Sequence, residues 1–243
     1  MFSYLDLETS SMCNRTCYTC IRNSHPNEKK VASFFETNLL PMDVIVEAFD
    51  QGARMGFTGS ICLSHYNEPL LDPRLPDIVR LAKSYPQFES VFFNSNGDLL
   101  TPELAAELDG ALDKVIVSLY MKEPMKSERA ELLSSYFHKT EAQMNTVSDH
   151  IATHFSPGFD VAALAEENKF YPCREPQMRV VINHRRQFLL CCDDVVGNFD
   201  LGTFPETSIK DYWFGKKHST IVKHLDGNCG RLRYKYCRTC PRK

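Results

Sequence analysis

The sequence predicts an α/β fold: a parallel sheet covered by helices, with its ligand-facing residues at the strand ends. Two observations predict it. Apolar runs of strand length alternate with segments of helical spacing along the first 120 residues. Polar residues also cluster just after the strand-like runs, where open α/β sheets and barrels bind ligands.

The elements follow in order. Phe2–Glu8 reads as a strand that feeds a cysteine-rich loop, and residues 21–38 are polar and irregular. Pro41–Met55 has helical spacing (Val44, Ile45, Ala48, Phe49), with Pro41 near its start and Gly56 after it. Ser60–Tyr66 is an apolar strand, Asp72–Tyr85 a helix entered through Asp72-Pro73, and Ser90–Phe93 a strand. Thr101 is placed to cap a helix over Pro102–Leu108, and Lys114–Tyr120 is a strand. Helices are expected at Glu128–Lys139 and Val161–Asn168, with a short strand somewhere in Met144–Phe155. Arg179–Asn183 and Gln187–Leu190 read as a hairpin, and Ser208–Leu225 as one long helix.

Composition narrows the function classes. A hydrophobic share of 43% and a charged share of 24% are globular values, and no run of 18 apolar residues is present, so no membrane span is expected. The start MFSYLDLETSSMC lacks a basic and an apolar leader region, so a cytoplasmic location is expected. The net charge of −3 is uneven: residues 206–243 hold 10 Lys+Arg against 3 Asp+Glu. That basic stretch is short and cysteine-rich, which argues against a nucleic-acid binder and for something negative near it.

Ten cysteines carry the chemistry. Without an export signal, they read as metal ligands or catalytic groups before disulfides. Cys13, Cys17 and Cys20 form C-x3-C-x2-C, and Asn14, Arg15 and Thr16 make the stretch a loop rather than a helical stripe. Three thiolates on a tight loop fall one short of a structural zinc site and suit an iron–sulfur cluster with one open iron. Cys173, Cys191 or its neighbour Cys192, Cys237 and Cys240 supply a four-thiolate set, which zinc or a cluster would satisfy equally. Cys62 reads as a buried small hydrophobe, and Cys229 is surplus.

The C-x3-C-x2-C loop after the first strand resembles that of the radical S-adenosylmethionine (SAM) enzymes. The resemblance implies a partial (β/α) barrel and a 4Fe–4S cluster on Cys13, Cys17 and Cys20. There the open iron binds SAM, and reductive cleavage releases a 5′-deoxyadenosyl radical. The family places an aromatic residue directly before the third cysteine; here Thr19 stands there, with Tyr18 one place earlier. Tyr66-Asn67-Glu68-Pro69 resembles the motif that holds the SAM ammonium, with Asn67 in place of a glycine. Asn94-Ser95-Asn96-Gly97 and Ser118 fall at later strand ends and match ribose-side positions. Tyr18, Asn67, Glu68, Ser95, Asn96 and Ser118 are therefore the expected SAM-binding residues.

The C-terminal order is cysteine, hairpin, cysteine, a glycine-bearing turn, a helix and C-x2-C. It resembles the twitch domain, the shortened form of the SPASM domain, which carries an auxiliary 4Fe–4S cluster. The resemblance implies residues 1–172 as the barrel and residues 173–243 as the twitch unit. It implies Cys173, Cys191, Cys237 and Cys240 as ligands, with Cys192 as the alternative to Cys191. Two clusters and SAM imply a radical oxidation: hydrogen abstraction from a small sugar- or cyclitol-like substrate, with the auxiliary cluster taking an electron. A one-electron reductant, flavodoxin or ferredoxin, is the implied partner, with no nucleic acid or membrane. Peptide modification or epimerisation stays open, as does, more distantly, a zinc-binding module. The base is not identified; His65, Tyr120 and Glu123 lie near strand ends and are the candidates.

Overall fold

The computed structural model describes residues 1–17, 20–24, 33–146 and 160–243. Its frame is a sheet of order β5-β4-β3-β2-β1-β6-β7. The strands are β1 (Tyr4–Leu7), β2 (Ser60–Cys62), β3 (Val91–Ser95), β4 (Lys114–Leu119), β5 (Glu141–Thr146), β6 (Arg179–Ile182) and β7 (Phe188–Leu189). All neighbours pair in parallel except β6 and β7, the hairpin, which is antiparallel. Because β1 to β5 lie in chain order, successive right-handed crossovers put their helices on one face of an open, unclosed sheet.

The covering helices form because their apolar residues recur at helical spacing. In α2 (Met42–Arg54), which follows the short α1 (Ile21–Ser24), Val44, Ile45, Ala48 and Phe49 are buried. In α3 (Leu75–Lys83) the buried set is Leu75, Ile78, Val79 and Ala82. The Thr101 hydroxyl caps α4 (Pro102–Leu108) by accepting from the Leu104 N–H, as expected. These faces meet Leu5, Leu7, Ile61, Leu63, Val91, Phe93, Val115 and Val117 in one core. Each such side chain contributes about 1.5–3 kcal/mol by leaving water.

Strand residues alternate faces, so Tyr4 and Asp6, and Glu8 just beyond β1, stand opposite Leu5 and Leu7. The register lines Asp6 up with Cys62 and Val181, and Asn94 with Ile116. The face away from these helices is thus strewn with polar groups, unusual for a parallel sheet and suited to a binding chamber.

Three sequence expectations need correcting. Strand β5 begins at Glu141, earlier than Met144, and the rest of the expected range lies outside the described residues. The helix expected at Glu128–Lys139 is α5 (Met125–Ser134), shifted toward Pro124. The single helix expected over Ser208–Leu225 is two, α8 (Ile209–Phe214) and α9 (Lys216–Leu225). Between them Gly215 is extended (φ −63°, ψ 148°), and a Cβ there would sit 2.3 Å from the Asp211 carbonyl oxygen. The expected helix at Val161–Asn168 is present as α6, and α7 (Glu175–Met178) leads into β6.

The hairpin is part of the main sheet, since β6 pairs with β1 over four residues. Beyond it, Tyr212 of α8 stacks on Phe188 of β7, with ring centroids 4.3 Å apart, and the Ile209 N–H donates to Gln51 of α2 at 2.7 Å. The C-terminal segment is therefore keyed to the barrel helices.

Candidate active site

The first cysteine loop leaves β1 through buried Glu8, Thr9, Ser10 and Ser11 and ends in α1. Cys13, Cys17 and Cys20 are partly exposed. The Cys20 N–H donates to the Cys17 carbonyl at 3.0 Å, which folds the loop back on itself. Burial pushes the Cys17 thiol up and takes Cys20 to about 11, so a bound metal must displace their protons. Arg15 clamps the loop from outside. Its Nε donates to Asp98 at 2.6 Å, and its guanidinium lies 4.6 Å from the Tyr120 ring centroid. Asn14 accepts from the Asn96 amide at 2.8 Å. Tyr18 lies outside the described residues.

The β2–α3 and β3–α4 loops are tied by one carboxylate. Glu68 is 2% exposed. Its Oε1 accepts from the Ser95 hydroxyl at 2.7 Å and from the Leu70 N–H at 3.2 Å, and its Oε2 accepts from the Asn96 N–H at 2.7 Å. Burial outweighs these bonds and raises its pKa. The Glu68 N–H donates to the Met12 carbonyl at 2.7 Å, which joins this knot to the cysteine loop. Ser95 also accepts from the Gly97 N–H at 2.9 Å, so its hydroxyl is committed within the protein. Asn67 accepts from the His65 N–H at 2.9 Å, while its amide nitrogen is buried with no hydrogen-bond partner. Ser118 is half-buried on β4 beside Asn145 of β5.

The three base candidates take different places. His65 is buried, its Nε2 3.0 Å from the Cys192 carbonyl and its Nδ1 3.9 Å from Glu8. Burial lowers its pKa. Tyr120 has its pKa raised by burial and by the neighbouring Cys17, so it keeps its proton. Glu123 is exposed and bonds Lys126 and Ser127 at the start of α5. Sequence reasoning missed Glu8. Burial pushes its carboxyl up, but His184 at 2.6 Å and the nearby His65 outweigh that and hold it below the ordinary value. His184 follows β6, and its Nε2 lies 2.9 Å from the Phe34 carbonyl. The missed signal was a carboxylate at the end of an apolar first strand.

The C-terminal cysteines converge from four chain positions. Cys173 is held by its N–H on the Leu225 carbonyl at 2.7 Å. The charges of Cys173 and Cys240 act on Cys237, that of Cys173 acts on Cys240, and that of Cys240 acts on Cys191. Burial pushes all four thiols up, Cys240 to about 12. Cys192 faces elsewhere: its Sγ lies 3.6 Å from a Glu175 oxygen and accepts from Arg242 at 3.1 Å. Cys229 is exposed, in the left-handed conformation (φ 63°). Tyr66 stands beside His65, with ring centroids 4.7 Å apart. Burial pushes its phenol well up, and Asp193, Arg242, Cys192 and Cys20 all act on it.

These residues fit the implied groups. Buried Nε atoms of Arg231 and Arg242 have no hydrogen-bond partner, and both guanidinium charges act on the C-terminal thiols. Four thiolates around an iron–sulfur core are net negative, which such cations would balance. The orphaned Asn67 amide is a donor for an acceptor such as the SAM carboxylate. Among the described residues no three His, Cys, Asp or Glu side chains gather tightly enough for a single metal ion. Ligands of a cubane stand farther apart, because each binds a different iron.

Residues 7–122 match the model of the radical SAM superfamily. A GTP 3′,8-cyclase of Chlorobaculum tepidum is 33% identical over 117 residues, which are 48% of this chain and 32% of that protein, so the chain spans about a third of it. The S-adenosyl-L-methionine-dependent 2-deoxy-scyllo-inosamine dehydrogenase of Niallia circulans is 25% identical over 99% of this chain and 93% of its own length. Among solved structures, BtrN in complex with AdoMet and 2-DOIA superposes with a TM-score of 0.80 at 24% identity, over 99% of this chain and 93% of that one. Native anSMEcpe with bound AdoMet gives 0.64 at 14% identity, over 99% and 89%. The sheet that carries the cysteine loop and the Glu68 knot is thus that of a radical SAM domain, and the chain belongs to the radical SAM enzymes.

Proposed function

We propose that this radical SAM enzyme dehydrogenates an alcohol carbon of a small polyhydroxylated substrate of the cyclitol type. The observation that carries the reading is the second cysteine set, Cys173, Cys191, Cys237 and Cys240, whose charges act on one another beside the buried Arg231. When bound, the two clusters supply one-electron chemistry, reductive opening of SAM at the first and electron uptake at the second.

The chain's own residues do the rest. Cys13, Cys17 and Cys20 hold the first cluster on a loop that Arg15 and Asn14 clamp to the β3–α4 turn. Asn67 offers its buried amide to SAM, and Glu68 and Ser95 act by fixing the loop geometry around Asn96. A substrate C–H bond would lie shielded from water near the Tyr66 phenol, on which Asp193 and Cys20 both act. Residues 173–243 supply the auxiliary site while their hairpin extends the main sheet, and a flavodoxin or ferredoxin supplies the electron for SAM cleavage.

Anaerobic protein should hold about eight irons per chain, if both sets bind cubanes. With SAM, a strong reductant and 2-deoxy-scyllo-inosamine, it should release 5′-deoxyadenosine and a product two hydrogens lighter than the substrate. Release of 5′-deoxyadenosine with no such product across a panel of cyclitols and amino sugars would reject the substrate class. Stoichiometric zinc in place of the second four irons would reject the redox role of the C-terminal set.

A further inference from the structure

Residues 227–243 hold six Lys+Arg and no Asp or Glu. Two short helical turns, Gly230–Arg233 and Cys237–Thr239, arrange them. Arg231 turns inward: it is buried, and its Nη1 donates to the Arg242 carbonyl at 2.5 Å. Buried Asn168 of α6 donates to the Pro241 carbonyl at 2.8 Å, so the tail is fastened at two consecutive residues. Arg233, Lys235 and Arg238 turn outward and are exposed.

These three cations share one face. All of them line a single groove of about 900 Å³, together with Phe199, Tyr234 and Tyr236. The Phe199 ring meets those of Tyr234 and Tyr236 at centroid distances of 5.8 and 6.5 Å. Among the described residues none of the three cations makes an ion pair. The one carboxylate among the described lining residues, Glu166, is already paired with Lys169. The groove borders the auxiliary cysteines through the chain itself. Arg238 follows Cys237 directly and stands two places before Cys240. Tyr236 precedes Cys237, and its hydroxyl donates to the Asp193 carbonyl at 2.5 Å, two residues past Cys191. Cations standing in water gain little from any single pair, but several on one face steer an acidic surface toward it.

We propose that this face docks an acidic one-electron carrier protein, of the flavodoxin or ferredoxin kind, which takes the electron out of the auxiliary cluster after each substrate oxidation. This rests on the proposed second cluster. In the oxidation a hydrogen atom goes to the adenosyl radical, a proton to a base, and one electron to the auxiliary cluster. That cluster must lose its electron before it can accept another. An oxidised carrier takes it, so that the carrier's flavin or iron–sulfur centre is reduced by one electron and the cluster is restored. Electron transfer weakens steeply with distance, so a carrier gains by docking beside Cys237 and Cys240 rather than elsewhere on the chain.

The test is anaerobic stopped flow. Iron-loaded enzyme is reduced, freed of reductant and mixed with oxidised flavodoxin, whose semiquinone absorbance reports the electron received. The phase missing in Cys240→Ala belongs to the auxiliary cluster. In the double variant Arg233→Glu, Lys235→Glu that phase is expected to slow about tenfold or more at low ionic strength. The gap should close at high salt, and the other phase should keep its rate. The double variant Arg233→Gln, Lys235→Gln should slow the same phase less, and it carries the test if the Glu variant loses iron. Equal auxiliary-phase rates in wild type and variants overturn the inference, as does equal slowing of both phases. So does a DNA duplex that binds this face more tightly than flavodoxin, which would mark a nucleic-acid surface. A wild type with only about four irons defeats the auxiliary cluster itself, so the two failures are distinguishable.

Discussion

Asp6 shows how one residue on the chamber face differs from its neighbours on the core face. It alternates with Leu5 and Leu7 along β1, so the strand that buries two leucines among the helices also turns a carboxyl to the opposite face. Burial raises its pKa from 3.8 to about 6, against the opposing pull of Arg179 at 2.6 Å. The folded state therefore holds the Asp6 proton more tightly than the unfolded chain. Its contribution is fully favourable below about pH 4 and declines as pH rises through 6, by about 3 kcal/mol in all. Chemical denaturation of Asp6→Asn between pH 4 and 6 should show a flatter fall of stability with pH than wild type. An unchanged slope would place the shift elsewhere. None of this was visible in the sequence, where Asp6 is one acid in an apolar run and its partner Arg179 is 173 residues away.

At the scale of elements, most of the α/β alternation was legible because its signals are local. Thr101 announces α4, and the spacing of Val44, Ile45, Ala48 and Phe49 announces α2. The break between α8 and α9 was missed because the apolar spacing of Ile209, Trp213, Ile221 and Leu225 runs on through Gly215 as if one helix continued. The backbone at Gly215 is extended, and the Asp211 carbonyl crowds the space a side chain would need. Gly215→Ala should therefore cost about 1–3 kcal/mol, read as a lower Tm by circular dichroism. A Tm within 1 °C of wild type (about one degree is a few tenths of a kcal/mol for a chain of this size) would mean that the helix junction adapts freely.

At the scale of the whole molecule, the two cysteine sets have separate local supports that meet where β6 of the hairpin pairs with β1. Cys13, Cys17 and Cys20 hang from β1, clamped to Asp98 and Asn96. Cys173, Cys191, Cys237 and Cys240 are gathered by α9, the hairpin exit and the fastened tail. Cys240→Ala should therefore reduce the iron content from about eight to about four per chain, while 5′-deoxyadenosine release persists and substrate oxidation stops. Loss of SAM cleavage with the first cluster intact would show that the supports are not separate. The described residues include no helix long and apolar enough to cross a membrane.

By itself the sequence determined the α/β class, the radical SAM family and the order of both cysteine sets, because strand and helix periods and C-x3-C-x2-C spacing are short-range properties of the chain. Only the tertiary structure turned Glu68 and Ser95 into a knot. It alone brought Glu8 to His184 and two arginines to the C-terminal thiols. Those choices depend on groups brought together from up to 176 residues apart, and burial sets their energies only once the chain has folded around them.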